Sequence, residues 1–149
     1  MGLEEYESKS NKAQTTFDFI SEGSKGQILK SVRFVKIKGV RNVYNLAFGD
    51  KRKGSNRIDD RVVSDNQDRD KVLATVAKAV IIFTNRHPKA NVFFRGSTEV
   101  RTRLYQIAIG KYLDELSKDF DIQGHLDKSW QFYEKNVTYS AFLISRKTN

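Results

Sequence analysis

Small residues and arginines coincide in the stretch 95–103, which is the part of the sequence best suited to binding an anion. The pattern there predicts a strand over 91–95, a polar turn over 96–98 and then a helix. Backbone N–H groups and the positive end of a helix dipole attract anions at such a turn. The candidate anion-binding residues are Arg95, Gly96, Ser97, Thr98, Arg101 and Arg103. The glycine spacings of a Walker A loop and of a dinucleotide fingerprint are both absent.

The same turn also has a purely structural interpretation. Ser97 or Thr98 would be an ordinary N-cap, and Glu99 would complement the helix dipole. Arg103 would then pair with Glu99, which lies four residues earlier on the helix. The sequence leaves both interpretations open.

A second group of cations lies in the irregular segment 49–66. Loops of this length inside a compact domain are more often functional or disordered than idle. The candidate contacts to a nucleic-acid backbone are Lys51, Arg52, Lys53, Arg57 and Arg61. Tyr44 would stack on a base if it were exposed, although its alternation with Leu46 and Phe48 favours packing in the core. No signature of a known nucleic-acid module accompanies these residues.

The net charge of +9 is distributed unevenly, with 11 Lys and Arg against 3 Asp and Glu over residues 23–64. A field of one sign over one region attracts polyanions, of which nucleic acid is the commonest in cells. The alternative is a solvated basic surface that serves solubility alone.

Imidazole chemistry is limited to His87 and His125, and the lack of cysteine excludes a thiolate nucleophile and disulfides. A metal-independent ribonuclease would pair one of these histidines with Arg101 and Tyr105, the arginine stabilising the developing phosphate charge. The alternative is that both histidines lie on the surface without a catalytic role, His87 just before Pro88 at an expected helix end.

Clustered carboxylates bind hard cations, and six aspartates lie within or just after the irregular segment. They are Asp50, Asp59, Asp60, Asp65, Asp68 and Asp70. Their spacing does not match an EF-hand, and neighbouring lysines and arginines would compete as partners. We therefore predict no metal site and no cofactor.

The elements that must position these residues follow from hydrophobic periodicity. Alternation predicts three early strands, over 14–21, 28–38 and 43–48, with Phe17 and Phe19 on one face. A helical period then runs from about 68 to 86. Its apolar stripe consists of Val72, Leu73, Val76, Ala77, Val80 and Phe83.

The second helix, over about 98–117, carries apolar residues around more than half of its circumference, so we expect it to be largely buried. A polar connection over 119–128, containing Gly124 and His125, follows it. The aromatic-rich runs 130–134 and 139–145 are predicted to form a terminal hairpin.

The element order β-β-β-α-β-α-β-β favours an α+β fold, a mostly antiparallel sheet with two helices packed on one face. The predicted organisation is a flexible N-terminal arm, 1–13, and a single α+β domain, 14–149. No window approaches the roughly 20 apolar residues of a membrane helix, and no secretory signal opens the chain. We expect a cytoplasmic protein without a membrane partner.

Several segments resemble the landmarks of a family of short bacterial proteins classed as a domain of unknown function. They are YNLAFGD at 44–50, VLATV at 72–76, and GST at 96–98 followed by RTRLY at 101–105. The resemblance spans about 17–143. It implies a bacterial single domain and brings no established activity.

The function that the sequence favours is binding of an anionic partner, RNA, DNA or a phosphorylated ligand, at the 95–103 turn and the 51–61 loop. Its enzymatic form would be a small endoribonuclease of the toxin type. The alternative is a non-catalytic interaction module that pairs with a protein partner or a second copy through the aromatic terminal hairpin.

Overall fold

The computed structural model describes residues 4–52, 54–55, 57–59 and 65–147. In this part of the chain it contains two helices and nine mostly antiparallel strands, which confirms the predicted α+β class. The strands are β1 Lys9–Ser10, β2 Thr16–Gly23, β3 Gly26–Lys36, β4 Val43–Lys51, β5 Ile58–Asp59, β6 Asn91–Phe94, β7 Phe120–Leu126, β8 Ser129–Phe132 and β9 Phe142–Arg146. The helices are α1 Arg69–Arg86 and α2 Glu99–Asp119.

The chain divides into two compact units. The first unit comprises residues 1–35 and 46–87, and the second comprises 36–45 and 88–149. The ladder order is β1-β2-β3-β4 in the first unit, with β5 also paired to β4. In the second unit the first three residues of β4 run parallel to β6, and the order continues as β9-β7-β8. The prediction that 14–149 is a single domain stays a prediction.

The core of the first unit lies between its strands and α1. Phe17 and Phe19 of β2 are buried on one face, as their alternation predicts. Phe34 of β3 stacks on Phe83 of α1, with 4.1 Å between the ring centroids and an angle of 1° between the planes. This ring pair joins the helix to the strands, and aromatic stacking adds to the free energy gained by burial.

The N-terminal arm contributes to the first unit through β1 and Tyr6. Lys9 and Ser10 pair antiparallel with β2. The Tyr6 hydroxyl donates to Asp68 Oδ2 at 2.6 Å, and its backbone N–H donates to Thr75 Oγ1 at 2.8 Å. Burial, together with the hydrogen bond to the Asp68 carboxylate, raises the pKa of Tyr6. Flexibility of residues 1–13 stays a prediction.

A charged pair lies inside the first unit. The Lys30 side chain is only 1% exposed, and its Nζ lies 2.7 Å from Asp50 Oδ1 and 5.8 Å from the centre of the Phe48 ring. A buried ammonium group loses its hydration, so the carboxylate must compensate for that loss. Asp50, at the end of β4, therefore permits a lysine to occupy a position among phenylalanines.

In the second unit, α2 packs on β6 through an aromatic pair, and the same β6 residue packs on β9. Phe94 of β6 contacts Tyr105 of α2 edge to face at 5.8 Å and stacks on Phe142 of β9 at 5.3 Å. Gln106 connects the helix to the segment before β9, because its side-chain oxygen accepts from the Tyr139 N–H at 3.0 Å.

The prediction that α2 is largely buried is wrong. Among its residues only Thr102 and Ile109 are buried, and Ile107 is 60% exposed. The apolar side chains are spread too widely around the helix for one layer of strands to cover them all. The helical period also breaks at Tyr112, where φ is −112° and ψ is 15°.

The predicted terminal hairpin is also wrong. β8 pairs antiparallel with β7, and β9 lies on the other side of β7, between β7 and β6. The hairpin partner of β8 is the segment 119–128, predicted to be a polar connection. Gly124 in this segment is a strand residue on which the Tyr139 ring packs, so closely that an added Cβ would lie 2.3 Å from a ring carbon.

The buried ion pair yields a test of stability. Asp50→Ala should lower the free energy of unfolding by about 3 kcal/mol, because it leaves a buried ammonium group without its carboxylate. The double variant Lys30→Met/Asp50→Leu should recover most of that loss, since it removes both charges. Urea denaturation monitored by circular dichroism measures both effects.

The control is Arg52→Ala. Its guanidinium is 81% exposed and lies 4.0 Å from Asp59. We expect a change below about 0.5 kcal/mol from this variant, as for other exposed ion pairs. A double variant no more stable than Asp50→Ala would show that the pair does not govern the effect.

Candidate anion-binding site

The turn between β6 and α2 forms where the sequence predicts it. Val92 and Phe94 are buried, which anchors β6, and Arg95 follows as an exposed residue. The helix begins at Glu99, and Thr98 is its N-cap. The Thr98 hydroxyl oxygen accepts from the Arg101 N–H at 3.2 Å, so the capping interpretation of this residue is confirmed.

Gly96 brings the turn back onto the start of the helix. Its N–H donates to Thr102 Oγ1 at 3.0 Å. A Cβ on Gly96 would lie only 2.4 Å from the Thr102 backbone nitrogen, which is closer than real Cβ atoms come to backbone. The absence of a side chain at Gly96 is therefore a geometric requirement of this turn.

The arginines of the turn differ in their surroundings. Arg101 Nη1 donates to Ser97 Oγ at 2.6 Å, so this guanidinium is held beside the turn. Arg95 and Arg103 are exposed. The ion pair of Arg103 with Glu99, expected under the structural interpretation, is not formed within the described part of the chain, where other residues make the three salt bridges.

The start of α2 carries more basic than acidic residues. The N-terminal end of a helix carries a partial positive charge and favours acidic neighbours. Segment 95–103 places three arginines there against one glutamate, Glu99. An anion such as phosphate is the kind of ligand that fits this turn, since N–H groups at a helix start and guanidinium groups are all donors.

The basic loop belongs to the first unit, so it is a candidate site by itself. Lys51 Nζ lies 3.0 Å from Asp18 Oδ2, which neutralises it locally. Arg52 and Arg57 are exposed. Lys53 and Arg61 lie outside the described residues. Among the candidates that the structure describes, Arg52 and Arg57 are the ones that present their charge to solvent.

Asp18 is the acid that holds Lys51. Burial raises the pKa of this carboxyl, but a hydrogen bond from Ser31 (2.6 Å), the hydrogen bond from Lys51 and the charges of Lys51 and Arg33 together lower it below its usual value. Lys51 is therefore part of a half-buried polar group on the sheet.

Both histidines make local contacts. His87 Nε2 lies 3.0 Å from the Ala13 carbonyl oxygen, and its backbone N–H closes the end of α1 on Phe83. His125 Nδ1 lies 3.1 Å from Ser140 Oγ, and its ring packs edge to face on Trp130 at 5.0 Å. Both histidines therefore have a structural role in packing and hydrogen bonding. Tyr105, the other residue of the ribonuclease hypothesis, packs on Phe94.

Sequence reasoning missed Asn66, which is buried and organises the turn between β2 and β3. Its Oδ1 accepts from the Lys25 N–H at 2.6 Å, and its Nδ2 donates to the Gly26 carbonyl at 2.8 Å. A Cβ on Gly23 would lie 1.9 Å from the Asn66 carbonyl oxygen. The only signal in the sequence was the pair of glycines in that turn.

Two wider properties concern metals and membranes. Over residues 4–52, 54–55, 57–59 and 65–147, no three histidine or carboxylate side chains gather as potential metal ligands. Within the same ranges, neither helix has the length and apolar character needed to cross a membrane.

The fold and this turn define a small α+β protein with a tightly folded strand–turn–helix at residues 91–119. The chain belongs to a family of unknown function (DUF6934), whose model matches residues 2–147. This membership confirms the resemblance to an uncharacterised family. The chain has no significant match among curated proteins or solved structures.

The close approach at Gly96 leads to a stability prediction, for which Gly110 in α2 is the matched control. Gly96→Ala should lower the free energy of unfolding by about 1–3 kcal/mol, because the helix start must move away from the new methyl group. Gly110→Ala, whose Cβ would meet only the Tyr133 hydroxyl at 3.4 Å, should be neutral or stabilise by up to about 1 kcal/mol. Thermal denaturation of both variants measures the contrast, and equal effects would contradict it.

The lowered pKa of Asp18 predicts a pH dependence. A carboxylate whose pKa is lower when folded stabilises the protein above its unfolded pKa of about 3.9, and this contribution disappears as the pH falls through the folded value. Asp18→Asn should therefore lose less additional stability than the wild type between about pH 5 and pH 2. Urea midpoints across this range test it.

Ser31→Ala is the graded comparison, since it removes one hydrogen bond that lowers the pKa while keeping the carboxyl group. Its loss of stability on acidification should be intermediate. Parallel acid curves for the wild type and Asp18→Asn would rule out the proposed linkage.

Proposed function

We propose that this protein binds phosphate groups of RNA or DNA at the turn between β6 and α2, and that it does so in the cytoplasm. The observation that carries the proposal is the accumulation of Arg95, Arg101 and Arg103 at the positive end of a helix, with Glu99 as the one acid of the segment. Cations at the positive end of a helix favour an anionic ligand, because the guanidinium groups and the helix dipole both attract negative charge.

The geometry of the turn supports this proposal. The N-terminal end of α2 supplies backbone N–H groups and a partial positive charge for a phosphate. Arg101 is oriented by Ser97, so its guanidinium is partly preorganised for a ligand. An arginine fork binds phosphate oxygens with two parallel hydrogen bonds.

A polynucleotide is favoured over a small phosphorylated ligand because of the charge of the whole chain. The net charge of +9 provides long-range attraction for a polyanion. Arg52 and Arg57, which are exposed in the first unit, are separate candidate contacts for phosphate groups. A small ligand would use only the turn.

The test is binding of a labelled single-stranded RNA and a labelled duplex DNA of about 20 nucleotides, measured by fluorescence anisotropy at about 50 and 200 mM salt. Three phosphate contacts should weaken the affinity about 20- to 40-fold between these two salt concentrations. Arg101→Ala should weaken binding at low salt and reduce the salt slope by about one. Arg95→Ala should behave similarly.

Lys118→Ala is the matched control, because it removes an exposed cation from the other end of the same helix. It should leave the affinity within about twofold of the wild type, since a single exposed charge far from the contact is largely screened. Absence of binding at low salt would refute the proposal. Equal losses from Lys118→Ala and Arg101→Ala would remove the turn as the site.

Two further arms identify the ligand and any activity. Competition by inorganic phosphate or a nucleoside triphosphate, without binding to RNA or DNA, would replace the polynucleotide with a small phosphorylated ligand. The endoribonuclease form predicts shortening of the bound RNA on a gel, with and without added Mg²⁺. Intact RNA in both conditions would leave a binding protein without nuclease activity.

A further inference from the structure

The four strands β6, β9, β7 and β8 of the second unit form a sheet with two unlike faces, because side chains alternate between the faces of a strand. One face carries Phe94 and Phe142, which are buried, and contacts α2 through Tyr105. We call the opposite face the outer face. Its strand residues are Asn91 and Phe93 of β6, Leu143 and Ser145 of β9, Asp121, Gln123 and His125 of β7, and Trp130 and Phe132 of β8.

Aromatic side chains form a row across the outer face. In the strand registers, Phe93 lies beside Leu143, and Leu143 lies beside Gln123. Gln123 in turn lies beside Phe132. Phe93 and Phe132 therefore stand in one row, about 14 Å apart by the spacing of the strands. Trp130 fills the space between them, because its ring reaches to 6.1 Å from the Phe93 ring.

The rings of this row are held in place and still open to solvent. Trp130 packs edge to face on Phe93 and also on His125, its neighbour on β7, at 5.0 Å. The His125 ring is itself held by Ser140 Oγ, 3.1 Å from Nδ1. Trp130 nevertheless stays 40% exposed, and Phe132 is 68% exposed. The row is therefore a preorganised aromatic surface, which loses little side-chain entropy when a ligand binds.

The remaining side chains of the outer face are mainly hydrogen-bonding groups. Asn91, Gln123, His125 and Ser145 offer amide, imidazole and hydroxyl groups, which include both donors and acceptors. Among the strand residues of this face, Leu143 is the one aliphatic side chain. Nucleobases have a flat π-face and a polar edge, so a surface of rings and hydrogen-bonding groups matches them. An apolar protein segment would instead leave these polar groups without partners.

Positive charge adjoins the aromatic row at β6. Arg95 directly follows this strand, lies two residues after Phe93 and is exposed. Two residues of extended chain span about 7 Å, so a phosphate-binding guanidinium and a base-stacking ring stand close together. Arg95 also belongs to the candidate anion-binding turn, which makes the outer face continuous with the proposed phosphate site. The net charge of +9 favours a polyanion as the partner.

We propose that the outer face stacks the unpaired bases of single-stranded nucleic acid on Phe93, Trp130 and Phe132, while the turn between β6 and α2 binds its phosphates. This inference rests on the proposed function and adds the class of ligand to it. A single strand can present its bases to an open sheet face, as it does to other four-stranded sheets with exposed aromatics. The bases of a duplex are stacked on one another, so a duplex would contact the phosphate site alone.

Phe132→Ala tests the stacking, with fluorescence anisotropy of a single-stranded RNA and a duplex DNA of about 20 nucleotides. It should weaken binding of the single strand about 5- to 100-fold, the loss expected when one base no longer stacks on a ring. The salt dependence should stay unchanged, because no charge is removed. Affinity for the duplex should stay within about twofold of the wild type.

Two variants are the controls for Phe132→Ala. Phe132→Tyr keeps an aromatic ring and should retain the affinity for the single strand. Ile107→Ala removes an exposed apolar side chain from α2, 60% exposed, and should also bind as the wild type does. Circular dichroism confirms that each variant is folded.

Trp130 is the single tryptophan of the chain, so its fluorescence reports directly on the outer face. Saturating single-stranded RNA should quench this fluorescence, because a base stacks against the indole ring. Duplex DNA should leave it nearly unchanged. An abasic strand, which keeps the sugars and phosphates but has no bases, should behave as the duplex does.

Failure of the stacking face is distinguishable from failure of the proposed function. Single-stranded RNA that binds in an Arg101-dependent manner, with no effect of Phe132→Ala and no quenching of Trp130, would overturn the stacking face and leave the phosphate site. Absence of binding to every probe at low salt would refute both. A wild-type dimer in sedimentation equilibrium that Phe132→Ala dissociates, without any change in RNA affinity, would assign the face to a second copy and overturn the proposal.

Discussion

The candidate site depends on one close approach, between Gly96 and the first turn of α2. The backbone of Gly96 lies where any side chain would collide with the Thr102 nitrogen. This contact determines where the helix starts, and therefore which residue becomes its N-cap and which arginine lies beside the turn. Thr98 caps the helix and Ser97 accepts from Arg101, so two short polar side chains orient a backbone donor and a guanidinium within one turn.

The two groups of cations differ in how their charge is balanced. In the first unit, Lys30 is buried against Asp50 and Lys51 is held by Asp18, so these lysines contribute to the structure of the sheet. At the start of α2, segment 95–103 carries three arginines and one glutamate, Glu99, and the helix dipole adds to the positive potential. The net charge alone does not distinguish these two cases, because it counts a lysine in an ion pair and an arginine in solvent equally. The partner of each cation, which only the fold reveals, decides where a polyanion would be attracted.

Gly96 and Gly124 are both required by a close contact, but only the role of Gly96 can be predicted from the sequence. Gly96 was correctly predicted as the residue of a tight turn because small polar residues and a helical period follow it. The sequence predicts Gly124 within a polar connection, whereas the structure places it in β7, where Phe120 and Ile122 alternate with it as buried strand residues. A side chain at position 124 would collide with the ring of Tyr139, which is 15 residues later in the chain and packs directly on Gly124. That contact is non-local, and so is the insertion of β9 between β6 and β7, which excluded the predicted terminal hairpin.

The sequence by itself determined the α+β class, the two helices, the early strands and the strand–turn–helix at 91–119. These features depend on local periodicity, capping and turn chemistry, all of which are properties of neighbouring residues. The tertiary structure alone decided which strand lies beside which, how little of α2 is covered, and that β8 forms an edge with exposed aromatic rings. Strand order and burial depend on contacts between residues far apart in the chain, and an apolar side chain has the same local pattern whether it is covered by another layer or left for a partner.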